Sequence, residues 1–196
     1  MNISIKRSVF HTSENNRTYL CSGVFFFLLL LCNTTNLRAQ RVALKTNLAD
    51  WGTGSPNISA EFAISNSFSL DLTGAGSIFK PKNNLYFRHV RLQPELRYWF
   101  RNLLSRYYIG ITAFYSTYDV GYKKRGAFGD AYATGVTYGY NWILSRRWNF
   151  ELCGGIGAIY YRMVHYTPPA PHPHPNKSGW MVAPVKLGIS FVYILK

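Results

Sequence analysis

The sequence predicts an all-β protein, an eight-stranded antiparallel up-and-down transmembrane β-barrel that follows a cleaved signal peptide. Three observations predict it. Beyond residue 40 the chain alternates apolar and polar residues in eight runs broken by turn residues, and a period of two is the strand signature. The connections alternate between short and long, as in a barrel with tight turns at one rim and loops at the other. Charged residues make up only 15% of the 196 residues and aromatics 17%, whereas ordinary soluble domains carry about 25% charge. With 16 glycines as well, that balance excludes a soluble helical bundle, a coiled coil and a disordered tail.

Residues 1–39 read as the leader. Lys6, Arg7 and Arg17 supply a positive region, Gly23 to Leu31 an apolar run, and Leu37-Arg38-Ala39-Gln40 a small-residue cleavage site, the layout of a secretory signal peptide. The run is too short for the roughly 20 residues that a membrane helix needs. Leu31 before Cys32 is too bulky for a lipoprotein site. Removing the leader takes away Lys6, Arg7, Arg17, Arg38 and Glu14, so the net charge falls from +14 to +11 over residues 40–196. Cys21 and Cys32 leave too, and Cys153 stands alone. An exported chain with one cysteine has no internal disulfide, and a lone cysteine in an apolar strand is packing.

The alternation places strands at Arg41–Leu48, Asn57–Ile64, Phe68–Phe79, Arg88–Phe100, Tyr107–Tyr118, Ala131–Ile143, Trp148–Arg162 and Gly179–Leu195. No segment has helical periodicity. Most runs reach the roughly 9–11 residues of a tilted membrane strand. Ser65 to Ser67, Arg101 to Arg106 and Leu144 to Arg147 are the short connections. Ala49 to Pro56, Lys80 to Phe87, Asp119 to Asp130 and Met163 to Ser178 are the long ones.

Each strand has an apolar and a polar face. Ile58, Ala60 and Phe62 oppose Ser59, Glu61 and Ala63; Leu92, Leu96 and Tyr98 oppose Gln93, Glu95 and Arg97. A soluble lipocalin-like barrel turns the apolar face inward around a ligand, whereas a membrane barrel turns it outward. The polar faces favour the membrane, because they are rich in Ser, Thr, Gly and Asn rather than in Lys and Glu. So do the aromatic residues at strand ends, Trp99, Phe100, Tyr107, Tyr108, Trp142, Trp148, Tyr160, Tyr161 and Trp180, since amphipathic rings settle at lipid–water interfaces. Lys186-x-Gly188-x-x-Phe191-x-Tyr193 resembles the C-terminal assembly signal of outer-membrane barrels, although Ile194-Leu195-Lys196 trails it.

The faces assigned to the interior hold Lys45, Glu61, Asp71, Arg91, Glu95, Arg97, Glu151 and Lys186. The interior of an eight-stranded barrel is just wide enough for side chains, so these four acids and four bases are expected to pair across it. Catalysis by paired carboxylates is the alternative, but no Ser/His arrangement accompanies them. In His165-Tyr-Thr-Pro-Pro-Ala-Pro-His172-Pro-His174-Pro the prolines stiffen an extended loop, and no carboxylate lies near to complete a metal site. No cofactor is expected. Lys80, Lys82, Lys123, Lys124 and Arg125 make the long loops basic. An exported barrel has no nucleic acid to meet, so acidic lipid headgroups or glycans suit that charge better. Gly154-Gly155-Ile156-Gly157 is no phosphate loop; small residues in a strand allow close packing.

The residues then carry a family resemblance. Val42-Ala43-Leu44-Lys45-Thr46-Asn47-Leu48, Pro56-Asn57, Glu61, Gln93-Pro94-Glu95-Leu96-Arg97-Tyr98-Trp99 and Tyr138-Gly139-Tyr140-x-Trp142-Ile143-Leu144-x-x-Arg147-Trp148-Asn149-x-Glu151 resemble a family of Bacteroidota proteins of unknown function. The resemblance implies an outer-membrane-type barrel, often encoded near fimbrial genes, and no catalytic residues. The expectation is therefore a monomeric barrel with a structural or surface-interaction role. Its partners would be outer-membrane lipids, the barrel assembly machinery and fimbrial or other surface proteins. Two rivals stand beside it. One is a lipid-modifying hydrolase, for which Ser77, Ser116, His89 and His165 are the raw material; the other is the soluble ligand-binding barrel.

Overall fold

The computed structural model describes residues 41–79, 85–122, 125–166 and 177–195. Its strands are β1 (Val42–Asn47), β2 (Asn57–Ala63), β3 (Phe68–Phe79), β4 (Leu85–Trp99), β5 (Arg106–Tyr122), β6 (Arg125–Ile143), β7 (Trp148–Tyr166) and β8 (Lys177–Ile194). All eight are antiparallel, each pairs with the next, and β8 closes on β1 with Lys45 opposite Val192 and Ala43 opposite Ile194. The result is an up-and-down ring without a free edge, so every strand finds a ladder partner on both sides.

Three features depart from the sequence expectation. The long connection expected between Asp119 and Asp130 is mostly strand, because β5 and β6 stay paired as far as Tyr122 opposite Arg125. Cross-strand hydrogen bonds carry the ladder on where the apolar alternation fades. A single helical turn, α1 (Leu48–Gly52), stands where no helix was expected. Five residues are too few to display a period of 3.6. The turn is set locally instead, by the Asn47 side chain accepting from the Ala49 N–H at 3.1 Å. Third, Trp99 and Tyr108 point into the ring, fully buried, and belong to no interfacial belt. Both occupy inward register positions, two residues beyond Arg97 and two before Gly110. The expected leader with its Ala39-Gln40 junction, Lys80, Lys82, Lys123, Lys124, His172 and His174 lie outside the described residues.

The interior is layered. At the short-turn end Ala43, Trp99, Leu103, Leu104, Tyr108, Cys153 and Val192 pack into an apolar plug. The β4–β5 turn folds inward to build it, with Leu104 at φ 59° and Arg106 at φ 64°. Left-handed backbone costs an L-residue roughly 1–2 kcal/mol. Burial of Leu103 and Leu104 holds the turn there, helped by the Asn149 amide, which donates to the Leu104 carbonyl at 2.8 Å. Gly139 has no Cβ because the Tyr108 ring occupies that space, 2.5 Å from where one would stand. In β8 a bulge opposite Gly155/Ile156 turns Val185 inward beside Lys186. The Gln93 amide satisfies the Val185 carbonyl at 3.2 Å.

Candidate functional site: the charged interior

Above the plug lies a layer of buried charge. In the register Glu61 stands opposite Asp71, and Asp71 opposite Glu95, so three carboxylates form a row across β2, β3 and β4. Like charges directly opposite one another destabilise a sheet, and only cations at the same level can hold such a row together. Arg97 supplies the centre. Its guanidinium, fully buried, lies 3.0 Å from Glu61, 2.9 Å from Asp71, 3.1 Å from Glu95 and 2.9 Å from Glu151. It also sits over the Tyr108 ring, 4.3 Å from the centroid.

Lys45 and Lys186 flank it. Lys45 pairs with Glu61 and stands 3.6 Å from Asp71 and 3.4 Å from Glu151. Lys186 pairs with Glu95 and stands 3.4 Å from Asp71. Four carboxylates thus meet three cations. The surplus acceptor capacity goes to neutral donors: the Tyr108 hydroxyl donates to Glu151 at 3.0 Å, Thr137 to Glu95 at 2.5 Å, and Ser69 to Glu61. The Trp99 indole donates to Ser69 at 2.8 Å and so orients that hydroxyl. Buried carboxylates need such partners in full, because an unpaired charge in a low-dielectric interior is costly.

Seven of the eight interior residues named from the sequence therefore meet in one cluster: Lys45, Glu61, Asp71, Glu95, Arg97, Glu151 and Lys186. Arg91 does not join them. It sits nearer the long-connection end and donates to Asp50 of α1 at 2.6 Å, with both side chains partly exposed. Asp50 escaped sequence reasoning because it belongs to a connection rather than to an alternating strand. Its place as the sole acid in a capped turn after Asn47 was the available signal. Above the cluster, beside that pair, a cavity of about 280 Å³ is lined by Asn47, Asp50, Thr73, Arg91, Gln93 and Lys186 among others.

The structure brings together only one pair of the remaining candidates. Ser77 and His89 are register partners across β3 and β4. The Ser77 hydroxyl and His89 Nδ1 have no hydrogen-bond partner among the described residues, so the two are not bonded through these atoms. Ser116 lies opposite Arg91, and His165 is exposed on β7 opposite Ala127. No group of three or more His, Cys, Asp or Glu suited to a metal ion occurs among the described residues. Of the C-terminal motif, Gly188 is buried and Lys186 faces the cluster, whereas Phe191 is exposed on the outside and Tyr193 packs against Trp148 in a tilted pair, centroids 4.9 Å apart.

Fold and site together define an eight-stranded antiparallel ring with a salt-bridged interior and an apolar outer face. The chain belongs to the family described as "Protein of unknown function (DUF3575)", whose sequence profile matches residues 24–195. No curated protein and no solved structure matches it.

Proposed function

We propose that the chain is exported, matures at Gln40 as residues 40–196, and lies in the bacterial outer membrane as a monomeric eight-stranded β-barrel. One observation carries this reading: the polarity of the ring is inverted. Its charges lie inside, while Ile58, Val90, Ile111 and Leu187 stand on the outside at 63%, 64%, 65% and 64% exposure. Along the outer face of β4 from Val90 to Tyr98, of β6 from Tyr132 to Trp142 and of β7 from Trp148 to Tyr160, no charged side chain occurs. Water would not retain such a surface on a monomer. Lipid would, and there a midplane Lys or Arg on the outer face costs about 2–4 kcal/mol. Among the described residues no helix is long and apolar enough to cross a membrane; the strands would make the crossing.

The role is structural or surface-interacting, with the long connections outward and the motif of Lys186, Gly188, Phe191 and Tyr193 presented to the barrel assembly machinery. Fimbria assembly or attachment is the process that the family resemblance points toward. Fractionation of expressing cells tests the address. The protein, with Gln40 as its first residue, should remain in the outer membrane through a high-salt wash and leave only with detergent. Salt screens electrostatic attachment, so release by salt alone would overturn the reading.

A further inference from the structure

We propose that the short-turn end of the ring is a collar for the phosphate headgroups of anionic phospholipids, built by Arg41, Arg101, Arg106, Arg146 and Arg147. The proposal rests on the membrane reading above and adds a lipid class and a site to it. All five side chains are exposed. They are spread around the rim: Arg41 enters β1 beside the end of β2, Arg101 and Arg106 flank the β4–β5 turn, and Arg146 and Arg147 form the β6–β7 turn beside the end of β8.

Among the described residues no carboxylate side chain stands at this end. The described acids are Asp50 in α1, the four buried in the interior cluster, and Asp119 and Asp130 in the opposite halves of β5 and β6. The four interior carboxylates are buried and engaged by Lys45, Arg97 and Lys186 within the ring, so none of them reaches the exposed arginines of the rim. The end therefore presents a field of one sign.

Position selects lipid rather than a protein partner. Phe100, Tyr107 and Trp148 are exposed next to the arginines in sequence, Trp142 is exposed near the end of β6, and together they mark the level of a lipid–water interface. Arg147 donates to the hydroxyl of Tyr193 at 3.3 Å, which itself packs on Trp148, so its guanidinium is held at the rim of that belt. Guanidinium groups bind phosphate oxygens bidentately. In the β4–β5 turn Leu103 and Leu104 are buried in the plug, so the exposed part of that turn is polar and basic.

The test uses the mature protein reconstituted in phosphatidylcholine bilayers containing trace spin-labelled phosphatidylglycerol or spin-labelled phosphatidylcholine. A basic residue at an anionic surface strengthens attraction roughly fivefold at most, and five arginines share the surrounding lipids. Motionally restricted phosphatidylglycerol should therefore exceed restricted phosphatidylcholine by roughly threefold or more, and the preference should vanish near 1 M salt. Replacing all five arginines by glutamine should abolish it. The milder pair Arg101→Gln with Arg146→Gln, both exposed, should reduce it without disturbing the fold. Arg88→Gln, exposed at the opposite end, should leave it intact. Equal restriction of both lipids, or a preference that survives the arginine variants, overturns the collar and leaves the membrane reading standing. Loss of the preference in Arg88→Gln overturns its location. No restricted lipid of either kind removes the membrane reading and the collar with it.

Discussion

Arg97 on β4 reaches across the ring and grips both oxygens of Glu151 on β7, Nη1 to Oε2 at 2.9 Å and Nη2 to Oε1 at 3.1 Å. The two strands are not neighbours in the ring, so this fork ties opposite walls together. The same guanidinium separates the carboxylates of Glu61, Asp71 and Glu95. One side chain thus ties two walls together and also bridges the acid row, whose charge it shares with Lys45 and Lys186.

Removal of that group should be the most damaging single change in the interior. Arg97→Leu leaves four carboxylates facing two lysines, and breaking a buried pair costs about 3–5 kcal/mol. Arg97→Lys should cost less, since it keeps the charge but loses the planar fork. Leu96→Val on the outer face should cost on the order of 1 kcal/mol. Denaturant unfolding of residues 40–196 in detergent ranks the three. Equal stability of Arg97→Leu and Leu96→Val would mean that the inward and outward faces have been exchanged.

The pair between Arg91 and Asp50 should behave differently because both side chains retain exposure, 24% and 16%. Partly exposed pairs contribute about 0.2–1 kcal/mol. Asp50→Asn should therefore barely change the unfolding midpoint. It should speed amide exchange in residues 48–55, where the Thr53, Gly54 and Ser55 N–H groups bond back to Asp50 and Trp51. A global loss of protection would show that α1 is integral to the ring rather than fastened to it.

Much of this arrangement was legible in the sequence, and the gaps have physical causes. Period-two alternation assigns Lys45, Glu61, Asp71, Glu95, Arg97 and Glu151 to one side, since strand geometry fixes that side at every second residue. Alternation cannot say how far a side chain travels along the interior, so Arg91 was grouped with a cluster it stands too high to reach. Nor does aromatic character tell a ring at a lipid interface from one plugging an interior. Trp99 and Tyr108 are inward by parity, and parity decides. The bulge at Val185 breaks the two-residue count locally, which hides its inward turn from any periodic reading.

Two glycines separate packing from backbone entropy. A methyl at Gly139 would stand 2.5 Å from Tyr108 ring atoms, whereas nothing lies within 4 Å of one at Gly74. Gly139→Ala must displace Tyr108 from Glu151 and should cost about 1–3 kcal/mol by overpacking. Gly74→Ala should be neutral or stabilise by a few tenths of a kcal/mol, about the effect of stiffening the unfolded chain. Thermal unfolding of both variants checks this, and a harmless Gly139→Ala would place the Tyr108 ring elsewhere.

Cys153 reports on the plug. It is buried at 5% exposure against Trp99 and Tyr108. In a chain of residues 40–196, where it is the sole cysteine, a maleimide should label it only as fast as the ring unfolds. Trp99→Ala should raise the labelling rate in native conditions by opening the plug in which it lies. Rapid labelling of the unaltered protein would show that the short-turn end is open to water.

The two interior layers also predict the electrical behaviour of residues 40–196 once reconstituted in a bilayer. An eight-stranded ring is just wide enough for side chains, and here the plug and the charge cluster are stacked in series. The cavity of about 280 Å³ lies above both and ends at Lys45, Asp71, Arg97 and Lys186. Planar bilayers should therefore show no porin-sized conductance. Trp99→Ala removes part of one layer and leaves the cluster, so it should remain closed as well. Combining Trp99→Ala with Arg97→Ala removes the centre of both layers, and any leak should appear first in that variant. A steady wide channel in the unaltered protein would contradict the packing of the interior, whereas a leak in Trp99→Ala alone would show that the plug, not the cluster, is the seal.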